Sequence, residues 1–229
     1  MKVLRKSVVG LICLFLAVGA SCAQIVEECY DKGIRYAAQG RFNEAEKEFK
    51  KALEIDQFYI PAKECLKVIE DVLEKKIKKE AAIHLFKGVL YYLKRMFDKE
   101  IAEYKKAIVI DPNFAEAYNS LGEAYERKEM FDKAIIEYKK AIAINPNFAE
   151  VYNNLGIAYS KKGMFDEAIT EFKKAIAINP NDAVVYYNLA VAYYGKKEYD
   201  LAVEYCDKVI ELGYEVNPVF LKLLKSYRK

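Results

Sequence analysis

The chain has 229 residues, 53% of them apolar and 31% charged, the balance of a folded, water-soluble protein rather than a disordered one. Its formal charge of +3 is accounted for by Lys2, Arg5 and Lys6. The remainder is neutral overall and carries no Lys/Arg block, so it has no field to concentrate nucleic acid or anionic lipid, and no nucleic-acid partner is expected.

In chain order, residues 1–23 read as an export signal: a basic start, an apolar run from Val8 to Ala20, then the small residues Gly19, Ala20 and Ser21. A bilayer-crossing helix needs about 20 apolar residues, and this run is shorter. Two processing routes fit. Ser21-Cys22-Ala23 permits cleavage after Ala23. Ala20-Ser21-Cys22 resembles a bacterial lipobox with Cys22 as the acylated residue, although Gly19 stands where such boxes usually carry Leu or another branched aliphatic. The predicted location is the periplasm, or the cell envelope through that lipid, which is then the chain's one contact with a membrane. Besides Cys13, the cysteines Cys22, Cys29, Cys65 and Cys206 lack zinc-site or redox spacing. Cys29 and Cys65 fall on neighbouring predicted helices and could approach each other in an oxidising compartment, but two small buried apolar residues is the better reading.

From residue 26 the chain repeats. Residues 26–59 form a first unit, and Ala81, Ala115, Ala149 and Ala183 each open a further unit at one constant spacing, so that 81–216 holds four in succession. Between them, 60–80 is an extra linking segment in which Pro61 to about Ile77 predicts a long helix without a partner. Asn217-Pro218 opens a final helix over 217–229. Its Val219, Phe220, Leu223, Leu224 and Tyr227 share one side and Lys222, Lys225, Arg228 and Lys229 the other, as an end cover of a repeat stack requires.

Within the units, Tyr118, Leu121, Gly122, Tyr125, Ala134, Tyr138, Ala141 and Pro146 recur as Tyr152, Leu155, Gly156, Tyr159, Ala168, Phe172, Ala175 and Pro180. Glycine in a helix costs about 1 kcal/mol relative to alanine, so Gly33, Gly122 and Gly156 must allow a close helix approach that compensates. Ala134 and Ala168 do the same on the second helix, while the rings, Tyr118, Tyr152 and Tyr186 among them, are expected to fill the space between layers. Asp111-Pro112-Asn113, Asn145-Pro146-Asn147 and Asn179-Pro180-Asn181 end each pair, because proline cannot continue a helix. Asn113 with Glu116, and Asn147 with Glu150, have capping-box spacing. Glu100 stands where an alanine is expected, which predicts reorganised packing there.

This pattern resembles the tetratricopeptide repeat family. The resemblance implies an all-α fold, a right-handed superhelical solenoid of antiparallel helix pairs, with a protein or extended peptide as partner in the groove lined by the first helix of each pair. By the same resemblance the groove residues are Asn119, Glu123, Asn153, Asn154, Ile157, Tyr187, Asn188, Val191 and Tyr194. Asn154 and Asn188 match the place where several members pair an asparagine amide with a peptide backbone; the alternative is an ordinary exposed polar residue. The cations by which chaperone-binding members clamp a terminal carboxylate are replaced by Tyr30 and Glu116, so a chaperone C-terminus is not the predicted ligand.

No catalytic residue, cofactor or metal is predicted, since no phosphate loop, nucleophile elbow or metal-ligand cluster is present. The single histidine, His84, occupies the place of Tyr118, Tyr152 and Tyr186 and reads as a packed core residue. The expected function is a non-catalytic binding scaffold of the bacterial envelope. The alternative is a substrate-recruiting subunit of an enzyme whose catalytic chain is separate, and self-association through repeat ends is a third reading.

Overall fold

The computed structural model describes residues 22–228, which hold twelve α-helices and a closing 3-10 turn and no strand. Residues 1–21, most of the segment read above as an export signal, lie outside the described residues, as does Lys229. The chain divides into two compact units, one ending at Pro112 and the other beginning at Asn113. The first holds α1 (22–38), α2 (Phe42–Ile55), α3 (Ile60–Leu73), α4 (Lys79–Leu93) and α5 (Phe97–Ile110). The second holds α6 (Ala115–Arg127), α7 (Phe131–Ile144), α8 (Ala149–Lys161), α9 (Phe165–Ile178), α10 (Ala183–Gly195), α11 (Tyr199–Glu211) and α12 (Pro218–Leu224).

Each pair is locked by a glycine facing a ring. A Cβ added to Gly33 would lie 2.4 Å from the Phe49 ring, and on Gly88, Gly122 and Gly156 it would lie 2.2, 2.4 and 2.6 Å from Tyr104, Tyr138 and Phe172. Ring and glycine keep the same sequence interval in all four pairs. In the pair α10/α11 that interval joins Ala190 to Cys206, both fully buried, so a larger residue on the first helix meets a smaller one on the second. Ala45, Ala134, Ala168 and Ala202 are also fully buried, and in α5 the Glu100 side chain is wholly buried in the corresponding place.

The turn inside each pair has one residue in the left-handed region: Gly40, Arg95, Glu129, Gly163 and Lys197, with φ between 56° and 75°. Two backbone bonds close each turn, as from Gly163 N–H to Ser160 C=O and from Met164 N–H to Tyr159 C=O. Side-chain caps are seen at Asp182 for α10 and Asn217 for α12. The boundary residues of α6 and α8 are Phe114 and Phe148, and the carboxylate of Glu150 accepts from Asn119.

Three expectations change. The partnerless helix α3 ends at Leu73 rather than near Ile77, because Lys75 turns left-handed (φ 61°) and the Lys76 N–H returns to the Asp71 carbonyl. Tyr118, Tyr152 and Tyr186 are half-buried rather than central: Lys140 and Lys174 lie over the first two rings at 5.6 Å, and Tyr186 meets Tyr205. The rings facing Gly33, Gly88, Gly122 and Gly156 are buried instead, as are Phe86 and Phe114. On α12, Phe220 and Leu224 are buried while Val219 and Leu223 are 67% and 46% exposed, since a helix of seven residues buries only a narrow stripe.

Candidate functional site

The helices α6, α8 and α10 are the first members of successive pairs in the second unit, and polar side chains on them meet directly. Asn154 Nδ2 donates to Asn119 Oδ1 at 3.2 Å and to Glu123 Oε1 at 3.3 Å. Asn119 Nδ2 donates to Glu123 Oε1 at 3.0 Å and to Glu150 Oε1 at 3.3 Å. One pair further on, Asn188 Nδ2 donates to Asn153 Oδ1 at 2.9 Å. These asparagines therefore bind the first helices to one another. With both donors of its amide used, Asn154 offers a ligand its Oδ1 as acceptor, whereas Asn188 keeps one N–H and its Oδ1.

All nine predicted groove residues lie on α6, α8 and α10, but they differ in access. Asn119 is buried and acts as a tie between helices, while Glu123, Asn153, Asn154, Ile157, Tyr187, Asn188 and Tyr194 are half-buried and Val191 is exposed. A concavity of about 430 Å³ opens beside Asn154 and Glu123, walled by Glu126, Arg127, Phe131, Tyr138 and Lys161. There the Tyr138 hydroxyl donates to Glu126 Oε2 at 3.0 Å. Burial lifts the Glu126 carboxyl above its ordinary range, against the opposing pull of the Tyr138 hydrogen bond and of Lys161 and Arg127. Burial likewise raises the Tyr138 phenol, and the neighbouring carboxylates add to it.

At the other end the face is aromatic. Phe220 of α12 stands edge-on to Tyr187 at 5.6 Å and to Tyr194 at 5.7 Å, and Tyr194 also meets Tyr199. That α12 reaches two of the groove residues was not expected from the sequence. A signal was present, because Phe220 follows Tyr186 at the repeat spacing and so sits where the next first helix would begin.

In the first unit, His84 is half-buried at the edge of its pair, with its Nδ1 2.6 Å from Glu103 Oε2. Glu103 also pairs with Lys106 at 2.6 Å. Burial opposes ionisation of Glu103, but the bonds to Lys106 and His84 outweigh it and hold the carboxyl below its ordinary value. Cys65 is half-buried beside Tyr30, and burial pushes its thiol up to about 12. Cys29 and Cys206 are buried and free, and Cys22 is exposed and free. Among the described residues no group of three or more His, Cys, Asp and Glu side chains is arranged to hold a metal, and no helix is long and apolar enough to cross a membrane.

A crystal structure of MamA is similar to this chain at 29% identity, with 79% of this chain and 94% of that one covered and a TM-score of 0.57. The PilF protein of Pseudomonas aeruginosa is similar in fold at 22% identity, with 89% and 82% covered and a TM-score of 0.59. The first tetratricopeptide domain of Spaghetti, solved bound to the HSP90 peptide SRMEEVD, is similar in fold at 22% identity, with 52% and 94% covered and a TM-score of 0.51. No curated protein matches the sequence. Models of the tetratricopeptide repeat match residues 26–59, 88–129, 127–163, 159–197 and 183–212, together well over half of the sequence. With these matches and the helix pairs locked ring against glycine, the chain belongs to the tetratricopeptide repeat family.

Proposed function

We propose that this protein is a non-catalytic scaffold of the bacterial cell envelope that holds a protein or an extended peptide against the face of α6, α8 and α10. The observation that carries the reading is the asparagine strip. Amides on three successive first helices are tied into one line, which fixes their free donors and acceptors at the spacing of the repeat and lowers the ordering cost of binding. An extended backbone presents alternating N–H and C=O groups, which suit the acceptor left on Asn154 and the donor and acceptor left on Asn188. The aromatic end at Tyr187 and Tyr194 adds apolar surface. The Spaghetti domain, similar in fold, was solved bound to a peptide, which supports a ligand of this kind. The reading of residues 1–23 as an export signal supports the envelope location, and acylation of Cys22 is part of the proposal.

Selection of displayed random peptides on the purified protein tests it. Selected peptides should bind the native chain and lose about tenfold or more in affinity to Val191→Glu, which places a charge beside Asn188 without touching the core. Equal binding to both proteins would remove the face from consideration.

A further inference from the structure

The turn between the first pair of helices and α3 departs from every later turn of its kind. Asn113, Asn147 and Asn181 recur in the later turns, whereas Phe58 stands at that place here, and it is 74% exposed. Two residues on, the alanine that appears as Ala115, Ala149 and Ala183 is replaced by Ile60, which is 62% exposed. The turn is not loose: Phe58 N–H donates to Asp56 Oδ1 at 2.9 Å and Tyr59 N–H to the Asp56 carbonyl. Two large apolar side chains are thus held out in water by a formed turn.

The position of that turn says what covers it. Helices α1 and α2 are antiparallel, with Tyr30 against Phe49 at 5.9 Å and Tyr59 of the turn against Tyr30 at 5.6 Å. The turn therefore lies beside the early part of α1, the end at which exposed Ile25 and Cys22 emerge. Ile55, at the end of α2, is 42% exposed. An acyl group on Cys22, part of the proposal above, would be attached at this same end, since Cys22 is the first described residue of α1. With no linker between that cysteine and α1, such an anchor would bring the turn within reach of the same bilayer surface.

We infer that the tip formed by Phe58 and Ile60, with Ile25 and Ile55 beside it, is a membrane-insertion point that seats the first unit on the surface of an uncharged or zwitterionic bilayer. The inference rests on the envelope location proposed above. The headgroup preference follows from the neighbouring charges: Glu27, Glu54 and Asp56 are exposed in the same segments, whereas Glu28 is paired with Lys32 at 2.8 Å and Lys63 lies over the Phe58 ring at 5.6 Å. Acidic residues at this density repel an anionic surface.

The chain contains no tryptophan, so Phe58→Trp introduces a unique fluorophore at the tip. The full chain carrying it, purified from cells, is mixed with phosphatidylcholine vesicles and with vesicles that also contain phosphatidylglycerol. Its emission should shift to the blue on phosphatidylcholine and less so as phosphatidylglycerol increases, while Ile136→Trp, on α7 of the second unit, should not shift. Flotation of the otherwise native chain should fall several-fold in Phe58→Ser/Ile60→Ser, with an unchanged thermal transition. The inference is overturned by an unshifted Phe58→Trp, by an equal shift of Ile136→Trp, or by emission that is already blue without vesicles and reddens on dilution, which would mark a second copy as the occupant. Mass analysis of the N-terminus reports export and acylation separately, so failure of the envelope reading is distinguishable from failure of the tip.

Discussion

The smallest unit of this architecture is a pair of residues, a glycine on one helix and a ring on the next. The Cβ distances of 2.2 to 2.6 Å leave no room for even a methyl group unless the ring moves, and the rings are buried. The last full pair exchanges the sizes, Ala190 against Cys206, which suggests a coupling test. Gly156→Ala should destabilise by about 1–3 kcal/mol through overpacking, and Phe172→Cys by about 3 kcal/mol through the cavity it leaves. The double variant, which copies the Ala190/Cys206 pair, should cost less than the two single changes combined, as measured by denaturant titration of the four proteins. Additive costs would mean that glycine and ring do not share one space. These residues were legible in the sequence because each recurs at a constant interval. The asparagine ties were not: Asn119 and Asn153, and Asn154 and Asn188, recur at the repeat spacing, but periodicity alone does not say which amide faces which across two repeats.

Helices are the next scale, and most of them follow from breakers and spacing: proline ends the second helix of several pairs, and a left-handed residue ends the first. The end of α3 was less legible, because Lys75 adopts the left-handed turn with no glycine to announce it. For α12 the amphipathic pattern gave the helix but not which stripe it buries, and Leu223 follows Leu189 at the repeat spacing yet is exposed. Leu224, at the place of the glycines, is itself fully buried and fills the space that a second-helix ring would take, so α12 closes the stack. Phe220→Ala should therefore loosen this end alone. In hydrogen exchange, protection should fall in α11 and α12 while α6 to α9 keep theirs. A uniform loss of protection would show that Phe220 supports the whole second unit rather than its cover.

For the molecule as a whole, the sequence made the repeat fold and the line of first-helix residues readable, but not their access. Asn119 turned from a contact into a buried tie, and Tyr187 and Tyr194 proved to be shared with Phe220. The half-buried and exposed members form a strip with Glu123, Asn153 and Asn154 on α6 and α8 and Asn188, Val191 and tyrosine edges on α10. The most direct test is a photoreactive amino acid placed in living cells at Val191, with Ile136 as the comparison; both are exposed, and they belong to a first and a second helix respectively. Capture of the same partner from Val191 but not from Ile136 is the predicted result. Equal capture from both positions, or capture from Ile136 alone, would contradict a binding face on α6, α8 and α10.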